Sequence, residues 1–339
     1  MRESYLDEQG HLIPEQAWHS FVDSLLVDGF VQGEDAEPVP IPPKRRRELL
    51  QELHELLVDA VKRRLPGDET VKVGLLFSGG IDSTLIGFCL RRQGIPFTCI
   101  TVGFQDGDTK EPEDVTQSRR IARELGFEQE TILFDLAQAD ALFKETANIL
   151  GDELADVVNV GVGAVEVAGI ERAKDLNITH LFGGLGAEEL FAGYDRHEQA
   201  FKTGGHQGLA EERVAGLHRM HARDLRRDTA IAHSLGITLA TPFLDEALTR
   251  FALGLRPELL IDENETFSGR RRGDVPEQRL VKKLVLREAA EAMGLPHAIA
   301  FRPKRAAQYG ARTNNALTRL TRLKGFRHKE EYLASLTLR

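Results

Sequence analysis

The 339-residue chain has no run of about 18 apolar residues, which excludes a membrane-spanning helix. Met1-Arg2-Glu3-Ser4 leads into mixed polar sequence and not into an apolar h-region, which excludes an ordinary secretory signal. Only two cysteines are present, Cys89 and Cys99. They are too few for a disulfide framework or a four-thiolate zinc site, so the expected compartment is the cytoplasm. His197, His206, His218, His221 and His233 fall in no zinc-ligand spacing and have no cysteine partners. There is no G-x-x-x-x-G-K-[ST] loop, no G-x-G-x-x-G, no internal repeat and no low-complexity tract.

Hydrophobic residues make up 41% and charged residues 29%, enough apolar sequence for a sizeable core. The net charge of −9 makes no whole-chain case for nucleic acid. Its distribution is uneven. His297 to Lys329 holds nine basic residues and no acidic one, leaving −18 for the rest. The basic tail 302–329 has two readings. One is a phosphate-facing loop (Arg302, Lys304, Arg305) followed by a solvated or partner-binding helix; the other is an RNA footprint.

Prolines 38, 40, 42 and 43 impose an extended connector, so residues 1–44 are expected to form an N-terminal segment and linker. A helix over 45–64 follows, with Leu49, Leu53, Leu56, Leu57 and Ala60 on one face. Strands are expected at 71–77, 97–104, 128–134 and 178–182. Helices lie between them at 82–93, 111–125, 135–150 and within 157–176. Strands joined by helical crossovers imply a parallel α/β sheet covered on both faces, here a core over 45–205. Beyond 205 strand signals fade. Helical patterns at 209–235 and 278–293 suggest a helical C-terminal part, 206–339.

The most informative stretch is Leu75-Leu76-Phe77-Ser78-Gly79-Gly80-Ile81-Asp82-Ser83. A hydrophobic strand runs into Ser-Gly-Gly and a helix begins. Glycines admit an anion close to the backbone, and the helix start offers unpaired N–H groups. Ser78 and Ser83 add hydroxyl donors. Asp82 would repel a phosphate unless a cation lies between, which magnesium resolves. The plainer alternative is a strand-to-helix turn with Asp82 or Ser83 near the cap.

Ser78-Gly79-Gly80-Ile81-Asp82-Ser83 resembles the PP-loop of the ATP pyrophosphatases, and three further segments narrow the resemblance to the asparagine synthetase family. Phe182-Gly183-Gly184-Leu185-Gly186-Ala187-Glu188-Glu189-Leu190-Phe191-Ala192-Gly193-Tyr194 is similar to the family's "SGEGADELFGGY". Thr241-Pro242-Phe243-Leu244-Asp245 resembles "R-x-PFLD". Lys283-Leu284-Val285-Leu286-Arg287, Leu295-Pro296 and Phe301-Arg302-Pro303-Lys304 resemble "K-x-x-LR … LP … R-x-K". The resemblance implies the adenine nucleotide alpha hydrolase-like (HUP/PP-loop) fold. It also implies ATP and Mg2+ as cofactors, and an AMP-forming ligase that adenylates a carboxylate, aspartate being one candidate, for amide formation with ammonia or another amine. By that carry-over Ser78, Gly79, Gly80 and Ser83 hold pyrophosphate, and Leu76 and Val102 flank adenine. Gly184 lines the nucleotide, Asp82 and Glu188 organise magnesium, and Lys304 offsets charge on the departing pyrophosphate. Asp224, Leu185 and Glu189 fall at the substrate pocket, with Asp224 and Asp228 equally readable as solvated helix acids.

The departures bear on the substrate. The family's "GEG" glutamate is Leu185 here, which can neither accept a proton nor hydrogen-bond an acyl group. The family's arginine and small hydroxyl residues are replaced by Val158–Ala164, with no charged partner for an aspartate carboxylate. Position 2 is Arg2, where full-length synthetases place a glutaminase cysteine, so ammonia is expected free or from a separate glutaminase subunit. Leu185, "AGYDRH" and "PKRAAQYGAR" look closer to asparagine synthetase domain-containing proteins. Sulfur-transferring relatives need exposed cysteines, whereas Cys89 and Cys99 fall on buried-looking faces. An RNA-modifying adenylating enzyme and a nucleotide-binding scaffold without amide synthesis remain alternatives.

Overall fold

The computed structural model describes residues 3–26, 41–107, 109–272, 275–302 and 307–337. Pro38 and Pro40 of the expected connector, and Lys304 and Arg305 of the basic tail, lie outside the described residues. Helix α1 (Glu15–Ser24) precedes α2 (Pro43–Arg63), which places Pro43 at its first position, where a missing N–H costs nothing. The alternating segment follows: β1 (Lys72–Leu76), α3 (Ile81–Arg92), β2 (Phe97–Phe104), α4 (Glu113–Leu125), β3 (Glu128–Phe134), α5 (Leu136–Leu154), α6 (Val157–Asp175) and β4 (Ile178–Phe182). After β4 come α7 (Ala187–Leu190), α8 (Asp195–Met220), a π turn (His221–Leu225), α9 (Arg226–Leu235), β5 (Thr238–Ala240) and α10 (Glu246–Leu253). An antiparallel pair, β6 (Ile261–Arg272) and β7 (Val275–Lys282), leads into α11 (Leu284–Ala292), α12 (His297–Ala300), α13 (Ala307–Gly310), α14 (Thr313–Leu323) and α15 (Lys329–Thr337).

The main sheet has the order β3-β2-β1-β4-β5 with every pairing parallel. The chain winds outward from β1 through β2 to β3, then returns to place β4 on the other side of β1. Strand order thus reverses between β1 and β4, the position where open α/β sheets bind ligands beyond their carboxyl ends. Both glycine-bearing segments leave the sheet there, residues 78–83 after β1 and 183–194 after β4.

Two apolar clusters form, consistent with a sheet covered on both faces. One gathers Leu75, Phe77, Leu85, Cys89, Cys99 and Phe182 with Trp18, Leu57 and Leu286. The other gathers Ile100, Val102, Ala164, Val167 and Leu181 with Leu317 and Tyr332. Cys89 and Cys99 are buried, as their sequence positions suggested. Burial pushes the Cys89 thiol up to about 12 and raises Cys99 further. The N-terminal segment is part of this packing. The Glu3 carboxylate accepts from Arg64 Nε at 2.8 Å and from the Thr241 amide at 2.9 Å, and Arg64 Nη1 donates to Asp245 at 3.0 Å.

Two expectations from the sequence need correction. Residues 278–282 belong to β7, and the helix expected from Gln278 starts at Leu284. Leu280 and Leu284 are spaced as on a helix, but the stretch containing Pro276 pairs with β6. The sheet also gains a fifth strand beyond residue 205, β5, which at three residues is too short to show alternation.

Part of the basic tail is answered within the chain. Arg319 pairs with Asp106 at 2.7 Å, Lys324 with Asp140 at 2.7 Å, and Lys329 donates to Asn314 at 2.6 Å. Two of the tail's nine basic residues thus meet acids of the body.

Candidate active site

Ser78, Gly79 and Gly80 bridge the end of β1 to α3. Gly79 has φ +66°, and a Cβ there would stand 3.1 Å from the Ser118 backbone, so only glycine fits the turn. Gly80 caps α3 in extended conformation, and no side chain caps the helix. Its first amides therefore face the loop as donors for an anion. Ser78 Oγ accepts from the Gly80 amide at 3.4 Å, and Ser83 Oγ donates to the Gly80 carbonyl at 3.2 Å. Arg302 Nη2 donates to the Gly79 carbonyl at 2.8 Å, tying the C-terminal part to the loop.

The segment after β4 meets this loop. A Cβ on Gly184 would stand 3.2 Å from Asp82 Cβ, so Gly184 permits the close approach. Lys283 joins the two segments. Its Nζ lies 2.7 Å from both Asp82 oxygens and 2.9 Å from Glu188 Oε1. Burial alone would lower the Lys283 pKa, but the Asp82 and Glu188 carboxylates outweigh it and hold it above the ordinary value. Lys283 has φ +58° and neighbouring Ala192 has φ +57°, two non-glycine residues in the left-handed region beside one site. Such strain persists where surroundings over-determine it. Arg287, on the next turn, donates to the Lys282, Ala300 and Arg302 carbonyls and braces the segment. Burial lowers Arg287 to about 10.

Glu189, one residue beyond Glu188, is fully buried. Burial first, and then Asp224, raise its carboxyl to about 7. Its Oε1 lies 3.4 Å from Arg196 Nη2, and the Arg196 guanidinium stacks 3.8 Å from the Tyr194 ring centroid. Asp224 lies near this group but accepts from Arg227 Nη1 at 2.9 Å, and Arg227 also donates to Asp228 at 2.7 Å. Asp224 and Asp228 therefore share a guanidinium and are not simply solvated helix acids. Leu185 packs against the apolar cluster beneath the loop. Leu76 and Val102 turn to the other face, where a Cβ on Gly169 of α6 would meet both side chains.

The structure thus brings together Ser78, Gly79, Gly80, Asp82, Ser83, Gly184 and Glu188. Leu76 ends β1, Val102 lies two residues before the end of β2, Glu189 follows Glu188 in the chain, and Asp224 stands close enough to Glu189 to raise its carboxyl. Lys304 cannot be placed, since it lies outside the described residues. Lys283 was legible only as a motif position, because its contacts span 201 residues to Asp82 and no local spacing announces them. Among the described residues no group of three or more histidine, cysteine, aspartate or glutamate side chains could hold a metal. Two carboxylates beside an anion-binding loop instead suit magnesium, which takes one or two carboxylates and completes its shell with phosphates and water.

Comparison with known proteins identifies the family. The asparagine synthase family model matches residues 52–208 and 200–330. A putative glutamine-hydrolyzing asparagine synthetase of Methanocaldococcus jannaschii is 29% identical over 82% of this chain and 52% of its own length. Human glutamine-hydrolyzing asparagine synthetase is 28% identical over 75% of this chain and 42% of its own. The chain thus spans about half the length of these relatives. Among solved structures, the NMN synthetase of Francisella tularensis is 16% identical over 84% of this chain and 95% of that one, with a TM-score of 0.31. With the family model covering most of its length, the chain belongs to the asparagine synthase family.

Proposed function

We propose that the chain is an AMP-forming ligase, which uses ATP to adenylate a small carboxylate and passes the acyl group to ammonia or another amine. The observation that carries this reading is the meeting of Asp82 and Glu188 on one ammonium, Lys283, at the head of the phosphate-type loop. Ser78, Gly79, Gly80 and Ser83 with the first α3 amides hold the pyrophosphate portion of ATP. Leu76 and Val102 flank the adenine and Gly184 lines the nucleotide. Asp82 and Glu188 would hold Mg2+, which when bound supplies neutralisation of phosphate charge.

In the first step a substrate carboxylate oxygen forms a bond to the α-phosphorus as the α–β bridge breaks and pyrophosphate leaves. Lys283, and Lys304 by the family carry-over, offset the charge on the leaving group. In the second step the amine attacks the acyl carbon, AMP leaves and the amine gives up a proton. By the family carry-over Glu189 and Asp224 serve the substrate pocket. Aspartate is the first substrate to test. With Arg227 held between two acids and Leu185 in place of a glutamate, another small carboxylate is the next. Nitrogen is best offered as free ammonia, and glutamine with a separate glutaminase. Leu185 favours one alternative, a nucleotide-binding protein without amide synthesis.

The test is positional. With 18O-labelled carboxylate and Mg-ATP, one label should appear in AMP. Release of ADP, or AMP without label, would contradict adenylation.

A further inference from the structure

The Lys283 ammonium is surrounded by three carboxylate oxygens, two from Asp82 at 2.7 Å and one from Glu188 at 2.9 Å. It is not a side chain that has wandered into the site. Lys283 is 4% exposed, so its ammonium has no ready path to solvent. Its backbone is fixed at φ +58°, and the Leu284 amide behind it donates to the Leu260 carbonyl at 3.0 Å. The preceding Lys282 is held elsewhere, on Asp195 at 2.5 Å. Gly193 closes the other side: a Cβ there would overlap Glu188 Oε2 and the Lys283 stem.

An ammonium contacts oxygen at about 2.7–2.9 Å, whereas magnesium needs about 2.0–2.1 Å to the same atoms. Each oxygen has lone pairs for both, but a divalent cation on these oxygens would stand within about 5 Å of the buried ammonium, and repulsion between two cations that close opposes joint occupancy. A metal arriving alone would gain two carboxylates, find no third acidic or imidazole ligand among the described residues, and leave a buried ammonium without its partners. A metal arriving with a polyphosphate brings anionic oxygens that can take over that ammonium. We infer that Lys283 is a resident counter-ion, making occupancy of the Asp82–Glu188 site by a divalent cation conditional on nucleotide. This inference rests on the proposed assignment of those two carboxylates to magnesium. It goes further by fixing an order: free metal is refused, and metal with nucleotide is accepted.

The experiment measures Mn2+ retained per chain by equilibrium dialysis of the full 339-residue protein, with and without α,β-methylene-ATP. Wild type should retain none alone and one with the analogue. Lys283→Met should gain nucleotide-independent Mn2+ binding at least tenfold tighter than wild type, and adding Asp82→Asn should remove that gain. The wild-type samples decide the matter even where the variant fails to fold. Their melting temperature should rise with Mn2+ plus analogue and not with Mn2+ alone. Wild type that retains Mn2+ alone as tightly as with the analogue overturns the inference while the magnesium assignment stands. A folded Lys283→Met protein that binds Mn2+ alone no better than wild type overturns it as well. Wild type that retains none even with the analogue overturns the assignment itself.

Discussion

Gly193→Ala perturbs the site without removing any reacting group. Gly193 does not have a positive φ, so alanine costs nothing in backbone strain. The added methyl would stand 2.8 Å from Glu188 Cδ, and closer still to Glu188 Oε2 and Lys283 Cε. Relief of the closest of these contacts to ordinary van der Waals distance requires movement of about 1–2 Å. The displaced atoms are the ends of flexible side chains, so the fold should lose only about 1–3 kcal/mol. The chemistry should suffer more. A misplacement of about 1 Å costs on the order of 100-fold in rate, equivalent to about 2.7 kcal/mol of barrier. The assay is magnesium-dependent exchange of pyrophosphate into ATP with the activating carboxylate, read beside thermal unfolding. Exchange down about 100-fold in a folded protein is the expected result. Wild-type exchange would refute the claim that Glu188 and Lys283 act from these positions.

Other consequences follow from buried groups. Arg64→Met should cost about 3–5 kcal/mol in urea unfolding, because Glu3 and Asp245 lose the guanidinium they share. Glu3→Gln in the same chain should recover part of that loss, and a change under about 1 kcal/mol would contradict the buried network. His197 is pushed down to about 2, by burial first and then by Arg196 and Arg213. Its folded pKa lies below its unfolded one, so its contribution is present above about pH 6.5 and lost as pH falls. The unfolding free energy should drop by up to about 1.4 kcal/mol per pH unit between roughly pH 6 and 4, and His197→Gln should flatten that slope. An equal slope in both proteins would rule the histidine out. Cys89 and Cys99 should resist iodoacetamide at pH 8 in the native state and react after unfolding; labelling of native protein would contradict their burial.

The strands of the core were legible because each is a short apolar run bounded by turn residues and followed by a helical period. Residues 97–104, 128–134 and 178–182 coincide with β2, β3 and β4. The loop at 78–83 was legible for a different reason, since glycines, hydroxyls and a carboxylate at a strand-to-helix junction have few other uses. Contacts between distant segments were not legible. Nothing near Lys283 announces that its side chain reaches Asp82, and nothing near Glu3 announces Arg64 and Thr241. Strand β7 was hidden by leucines whose spacing suits a helix equally well. Asp224 read equally as a substrate-pocket acid or a solvated helix acid, and its pairing with Arg227, three residues on, shows only in the structure.

The most direct test of the central claim is pyrophosphate–ATP exchange with magnesium, run across aspartate, glutamate and other small carboxylates, with tRNA as a separate arm. The account requires exchange that depends on a small carboxylate and disappears in a folded Asp82→Ala protein. Bound ATP with no exchange under any carboxylate, or exchange undiminished in Asp82→Ala, would contradict it.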